Sequence, residues 1–196
     1  MPTGNKLTNL KFGNFTKGFD ADFIASLGSK YADDLIKVKS GLDRGGDLTE
    51  GIVSEALKRQ GYTVTKDIGK YGSDNGFDVV AYKGTLDNPT EIMIIEGKQF
   101  KQNKILDEFD DVKSAQGYHE PSGLTINPAN PKTGLPTQMS KKWTFEHVSS
   151  QLFDKGGDYR KLSNALEKNK NIVERFVFAI DKSDGSGYFT KLSNDF

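Results

Sequence analysis

The stretch Glu91-Ile92-Met93-Ile94-Ile95-Glu96-Gly97-Lys98-Gln99-Phe100 decides how this chain is read. As a β-strand its side chains alternate, so Ile92, Ile94, Glu96 and Lys98 share one face while Met93, Ile95, Gly97 and Gln99 share the other. An apolar face therefore turns into a glutamate–lysine pair at its C-terminal end. Two opposite charges on the core-facing side of a buried strand are costly unless they pair or bind something. The bland alternative is a surface salt bridge along an edge strand, which would contribute under about 1 kcal/mol. So apolar a run does not suit an exposed strand.

A second carboxylate arrives from Gly76-Phe77-Asp78-Val79-Val80-Ala81-Tyr82, where Asp78 opens an otherwise apolar strand. If the two strands form an antiparallel hairpin, the start of the first lies opposite the end of the second, and Asp78 falls beside Glu96 and Lys98. The alternative for Asp78 is an ordinary turn residue after Asn75-Gly76. Converging carboxylates repel, and a divalent cation relieves that repulsion while using both as ligands. The Lys98 ammonium can hold or deprotonate a water near such a cation, which itself lowers the water's pKa. These parts can deliver hydroxide to a phosphodiester, which is metal-assisted phosphoryl hydrolysis.

Outward from this hairpin, the 196 residues suffice for one principal domain with a real core. We expect an N-terminal helical arm over 1–46 and the main domain over 47–196. Residues 1 to 17 are polar and rich in Gly, Lys and Asn, and read as a loose arm. Phe23, Ile24, Leu27, Tyr31, Leu35 and Ile36 then recur at helical spacing with a break near Gly28. A stronger helix opens at Asp47 or Leu48, carries Ile52, Val53, Ala56 and Leu57 on one stripe, and stops at Gly61. Strands are predicted over 62–68, 77–82 and 91–100, followed by a helix over 105–116. The segment 118–139 holds Pro121, Pro128, Pro131 and Pro136 and reads as a long loop. Two helices over 143–152 and 159–169 follow, then a strand over 173–180 joined to 188–192 as a hairpin.

Composition narrows the chemistry. There is no cysteine, so disulfides, thiolate zinc sites and cysteine nucleophiles are excluded. The two histidines, His119 and His147, exclude a histidine-rich metal centre. A metal site must then be built from carboxylates, carbonyls and water, which suits hard ions. Lys+Arg and Asp+Glu are both 27, so the overall charge gives no long-range attraction to nucleic acid. Lys132, Lys141, Lys142, Lys155, Arg160 and Lys161 make the later third locally basic, although a solvated helix face explains them equally well. No stretch approaches the roughly 18 apolar residues of a membrane span, and the start lacks a signal-peptide pattern. The expectation is a soluble protein without a membrane anchor.

Asp78, Glu96-Gly97-Lys98 and Gln99 together resemble the PD-(D/E)xK, or restriction-endonuclease-like, nuclease superfamily. Asp78 matches the motif aspartate, Glu96-Gly97-Lys98 the ExK element, and Gln99 the glutamine that many members carry there. In several branches a preceding helix supplies another acidic residue about eleven positions ahead of a Gly-aromatic pair, and Glu50 stands eleven before Gly61-Tyr62. Phe77 stands where the family name implies proline. The resemblance covers about residues 47 to 117.

It implies an α/β fold with a restriction-endonuclease-like core, a central mixed β-sheet of four or five strands flanked by helices, with the site at one sheet edge. It implies Asp78, Glu96, the Gly97 carbonyl and Glu50 as metal ligands, with Mg2+ ahead of Mn2+ or Zn2+. Asp78, Glu96, Lys98, Glu50 and Gln99 form the implied catalytic set, and Lys98 would position the attacking water. The implied activity is metal-dependent endonuclease cleavage of DNA or tRNA. Such domains also serve as toxin modules in competition between bacteria, delivered into the bacterial cytoplasm as part of a secreted toxin and held by an immunity protein. The alternative is a non-catalytic nucleic-acid-binding or scaffold module that retains the fold.

Several residues carry competing readings. Glu50 could be an acidic residue favourably placed in a first helical turn, and Glu55 competes with it for any functional role. Ser73 and Asp74 are explained by turn chemistry. Gln116 and His119 would reach substrate only from the helix and loop that follow the hairpin. Trp143 reads as core rather than as a base-stacking platform.

Overall fold

The computed structural model describes residues 12–72, 75–100, 129–130 and 132–192, with the backbone alone for 12–17 and Phe100. The predicted helix over 105–116, most of the predicted loop, Ser73, Asp74, Gln116 and His119 lie outside the described residues. The chain folds as an α/β protein around a mixed six-stranded sheet with helices on both faces. The elements are β1 (Phe12–Phe19), α1 (Ala21–Ser26), α2 (Ser29–Lys39), α3 (Asp47–Arg59), β2 (Thr63–Thr65), β3 (Val79–Gly84) and β4 (Pro89–Phe100). A π-helix (Lys142–Val148) then runs into α4 (Ser149–Lys155), followed by α5 (Gly157–Lys168), β5 (Val173–Asp181) and β6 (Gly187–Leu192). None of the described helices is long and apolar enough to cross a membrane.

The strand order is β1-β6-β5-β4-β3-β2. Every neighbouring pair is antiparallel except β4 and β5, which run parallel. Parallel neighbours need a long crossover, and here it contains the π-helix, α4 and α5. Alternation along the central strands then builds one core on each side of the sheet. Val80, Ile92, Ile94, Val177 and Ala179 pack with Trp143, Val148, Leu152, Leu162 and Leu166. Val79, Ala81, Ile95, Phe178 and Ile180 pack with Ile24, Leu35, Val38, Ile52, Val53 and Leu57 from the first three helices.

The local boundaries have identifiable causes. Asp20 caps α1 by accepting from the Phe23 N–H at 2.7 Å. Gly28, at φ 138°, breaks the apolar helical run into α1 and α2. Gly61 ends α3 at φ 85°, and the Tyr62 N–H donates back to the Leu57 carbonyl.

Three expectations are corrected. Residues 12–17 are not a loose arm: they belong to β1, which pairs with β6 through two register shifts. The added strand brings the sheet to six rather than four or five. The hairpin of β3 and β4 lies inside the sheet, between β5 and β2, so the converging charges sit at strand ends in its interior and not along an edge.

Candidate active site

The β3–β4 register decides which charges meet. Val79 pairs with Ile95 and Ala81 with Met93, so Asp78, one residue before β3, comes level with Glu96. The Gly97 N–H donates to Asp78 Oδ2 at 2.9 Å. In an extended strand a residue's N–H and C=O point to the same side. The Gly97 carbonyl therefore also lies on the Asp78 side of β4, while Ile92 directs its N–H to the β5 side, donating to Ile172 O at 3.4 Å.

Glu96 and Lys98 share the face of Ile92 and Ile94. The Lys98 ammonium donates to Glu96 Oε1 at 2.7 Å, and Gln138 Nε2 donates to the same oxygen at 2.9 Å. Glu96 is 3% exposed, and its Oε2 is buried with no hydrogen-bond partner among the described residues. An ionised oxygen so placed carries its desolvation cost without compensation.

From the opposite layer α3 presents Glu50, 4% exposed. A Cβ placed on Gly97 would stand 3.4 Å from Glu50 Cγ and 3.8 Å from Asp78 Oδ2, so the three approach one another closely. Lys66 Nζ lies 3.0 Å and Lys70 Nζ 3.3 Å from Glu50 Oε2. Glu55, its competitor, accepts from the Tyr31 hydroxyl at 3.3 Å instead.

Electrostatics bind these groups into one unit. Burial, then the neighbouring Glu96 charge, pushes the Asp78 carboxyl up to about 7, against the pull of the Gly97 N–H, Lys98 and Lys70. Burial and then Asp78 also raise Glu50, with Lys66 and Lys70 opposing. Burial disfavours the Lys98 ammonium, but Glu96, followed by Asp78 and Glu50, outweighs it and raises its pKa. The Lys98 ammonium thus sits within hydrogen-bond distance of Glu96 and is held in the charge field of three carboxylates.

Gln99 turns to the other side of β4. Its Nε2 donates at 2.8 Å to both the carbonyl and the carboxylate of Asp43. Asp43 also accepts from the backbone N–H groups of Leu48 and Thr49 and from the Thr49 hydroxyl. Gly46 has no side chain with which to cap α3, so Asp43 does so from three positions upstream. Gln99 thereby ties β4 to the start of the helix that carries Glu50.

Among the described residues, no group of three or more His, Asp or Glu side chains is placed to hold a metal ion. Two carboxylates, Asp78 and Glu96, with the Gly97 carbonyl form a smaller set of hard oxygen donors. The unpartnered Glu96 Oε2 and the mutual repulsion of the pair are the features a divalent cation would relieve. Magnesium characteristically takes one or two carboxylates and keeps several waters, so this set fits it.

Residues that the sequence reading missed complete the site: Lys66 and Lys70 on Glu50, Gln138 on Glu96, and Asp43 on Gln99. Asp43 alone left a trace, an acidic residue just ahead of an uncapped helix start. Trp143 is core, 7% exposed and edge-on to Phe77, and His147 Nε2 lies 3.1 Å from the Tyr71 hydroxyl.

Compared with known proteins, the chain matches no family model, no curated protein and no solved structure.

Proposed function

We propose that the chain is a metal-dependent nuclease with a restriction-endonuclease-like core, hydrolysing phosphodiester bonds of DNA or tRNA. The observation that carries this reading is the convergence of Asp78, Glu96 and Lys98, with one buried Glu96 oxygen left without a partner. Asp78, Glu96 and the Gly97 carbonyl would hold the cation. When bound, it would supply stabilisation of the charge on the phosphate and a more acidic water.

The remaining work falls to the protein. Lys98, 2.7 Å from Glu96 Oε1, holds the attacking water and takes its proton as the bond to phosphorus forms, once the cation has neutralised the carboxylates around it. Lys66 and Lys70 have side chains 32% and 21% exposed. Each ammonium has three donors, so donors remain for substrate phosphate oxygens after Glu50 is paired. Glu50 holds these two lysines in place and stands ready to complete a second metal or hold a water. Gln99 fixes α3 through Asp43.

A second reading is a non-catalytic binding module. It is favoured by the neutralisation of Glu50 by two lysines and by the absence, among the described residues, of any group of three metal-binding side chains.

Incubation of the purified chain with plasmid DNA and with total tRNA, with and without Mg2+, Mn2+ and Zn2+, separates the two. The nuclease reading expects metal-dependent cleavage of at least one substrate. Binding of nucleic acid without cleavage under every metal condition would leave the non-catalytic module.

A further inference from the structure

We infer that Gln138 is a positioning residue for Glu96, presented by a strained turn; the inference rests on the nuclease reading. Gln138 and Lys98 both donate to Glu96 Oε1, at 2.9 and 2.7 Å. Two donors on one oxygen fix the carboxylate rotamer and leave Oε2 with no partner among the described residues. Pairing Oε2 in the same way would block it as a ligand. Loading every donor onto Oε1 keeps one oxygen for a cation while half of the carboxylate is already satisfied.

The backbone that delivers Gln138 shows why this contact is specified. The next residue, Met139, has φ 62°, the one positive value among the described non-glycine residues. The left-handed region is costly for an ordinary side chain. The Ser140 N–H donates to the Thr137 carbonyl at 3.1 Å, so Met139 occupies the third position of a tight turn, where glycine or asparagine is the comfortable residue when φ is positive. Surrounding contacts hold it there. The Met139 side chain is 0% exposed in the core, and its carbonyl accepts from the buried Arg175 guanidinium at 2.7 Å. Ser140 leads directly into the π-helix, accepting from the N–H groups of Trp143 through its hydroxyl and of Thr144 through its carbonyl. Strain of this kind persists only where the surroundings over-determine it, and it gathers at functional sites. Here its product is the placement of one amide on Glu96.

The role is that of an outer hydrogen-bond partner, whose loss characteristically weakens metal binding about 10- to 100-fold. The test uses the full chain and two variants, Gln138→Ala and the nearly isosteric Gln138→Met, which keeps volume but donates no hydrogen bond. Mn2+ affinity is measured by calorimetry and the metal-free melting temperature by circular dichroism. In both variants Mn2+ binding is expected to weaken by about 10-fold or more while the metal-free chain still melts in one cooperative transition, at a modestly lower temperature because one donor to a buried carboxylate is gone. Cleavage should recover at saturating Mn2+, with KM for nucleic acid unchanged. If the unaltered chain binds Mn2+ and Gln138→Met binds it equally well, the positioning role is overturned and the nuclease reading stands. If the unaltered chain binds no Mn2+, both fall together.

Discussion

Asp43 and Glu96 are both buried carboxylates, at 7% and 3% exposure, held against opposite faces of β4, yet they are satisfied in opposite ways. Asp43 accepts from two backbone N–H groups, the Thr49 hydroxyl and the Gln99 amide, with donors on both of its oxygens. Glu96 accepts from two donors on one oxygen and none of the described residues reaches the other. A saturated buried carboxylate is a structural part, because every lone pair it turns to the protein is answered. An under-coordinated one beside a second carboxylate keeps capacity for something the protein does not supply.

The largest effect should come from the under-coordinated side. Lys98→Ala and Asp78→Ala are each expected to lower cleavage by about 10^2- to 10^4-fold, the range for positioned proton-handling and charged groups, with the circular dichroism spectrum unchanged. Cleavage by both variants at the rate of the unaltered chain would end the assignment of these residues.

The saturated side should answer in stability instead. Asp43→Ala removes the cap of α3 and strands the buried Gln99 amide, and should cost roughly 2–4 kcal/mol in urea denaturation. If instead it left the midpoint unchanged while abolishing cleavage, the division between the two carboxylates would be misdrawn.

The pH dependence of stability tests the electrostatics. The folded pKa of Asp78, about 7, lies above its ordinary value of 3.8, so between those pH values the native state binds more protons than the unfolded chain. The metal-free protein should therefore lose stability as pH rises from about 4 to about 7, and Asp78→Asn should flatten that dependence. A thermal melt series in EDTA reads this directly, and an Asp78→Asn chain with an unchanged pH slope would show that the strain lies elsewhere.

The β3–β4 hairpin and its charged end were legible because Val79 to Ala81 and Ile92 to Ile95 are apolar on both faces and the charges begin where that run stops. The helix carrying Glu50 was legible from its stripe of Ile52, Val53, Ala56 and Leu57. β1 was hidden because glycines, Asn14 and Lys17 interrupt its aromatic residues, and its pairing partner lies at the far end of the chain. Lys66, Lys70 and Gln138 reach the site only through turns and a loop that no periodicity records. The π-helix was read as ordinary helix because seven residues are too few to separate its wider turn from the usual 3.6-residue period.

The spare oxygen of Glu96 is a cation ligand if Mn2+, titrated calorimetrically into the full chain, binds saturably and that binding is lost in Glu96→Gln, with both proteins folded. Equal binding by the two, or none by the unaltered chain, would remove Glu96 from the ligand set.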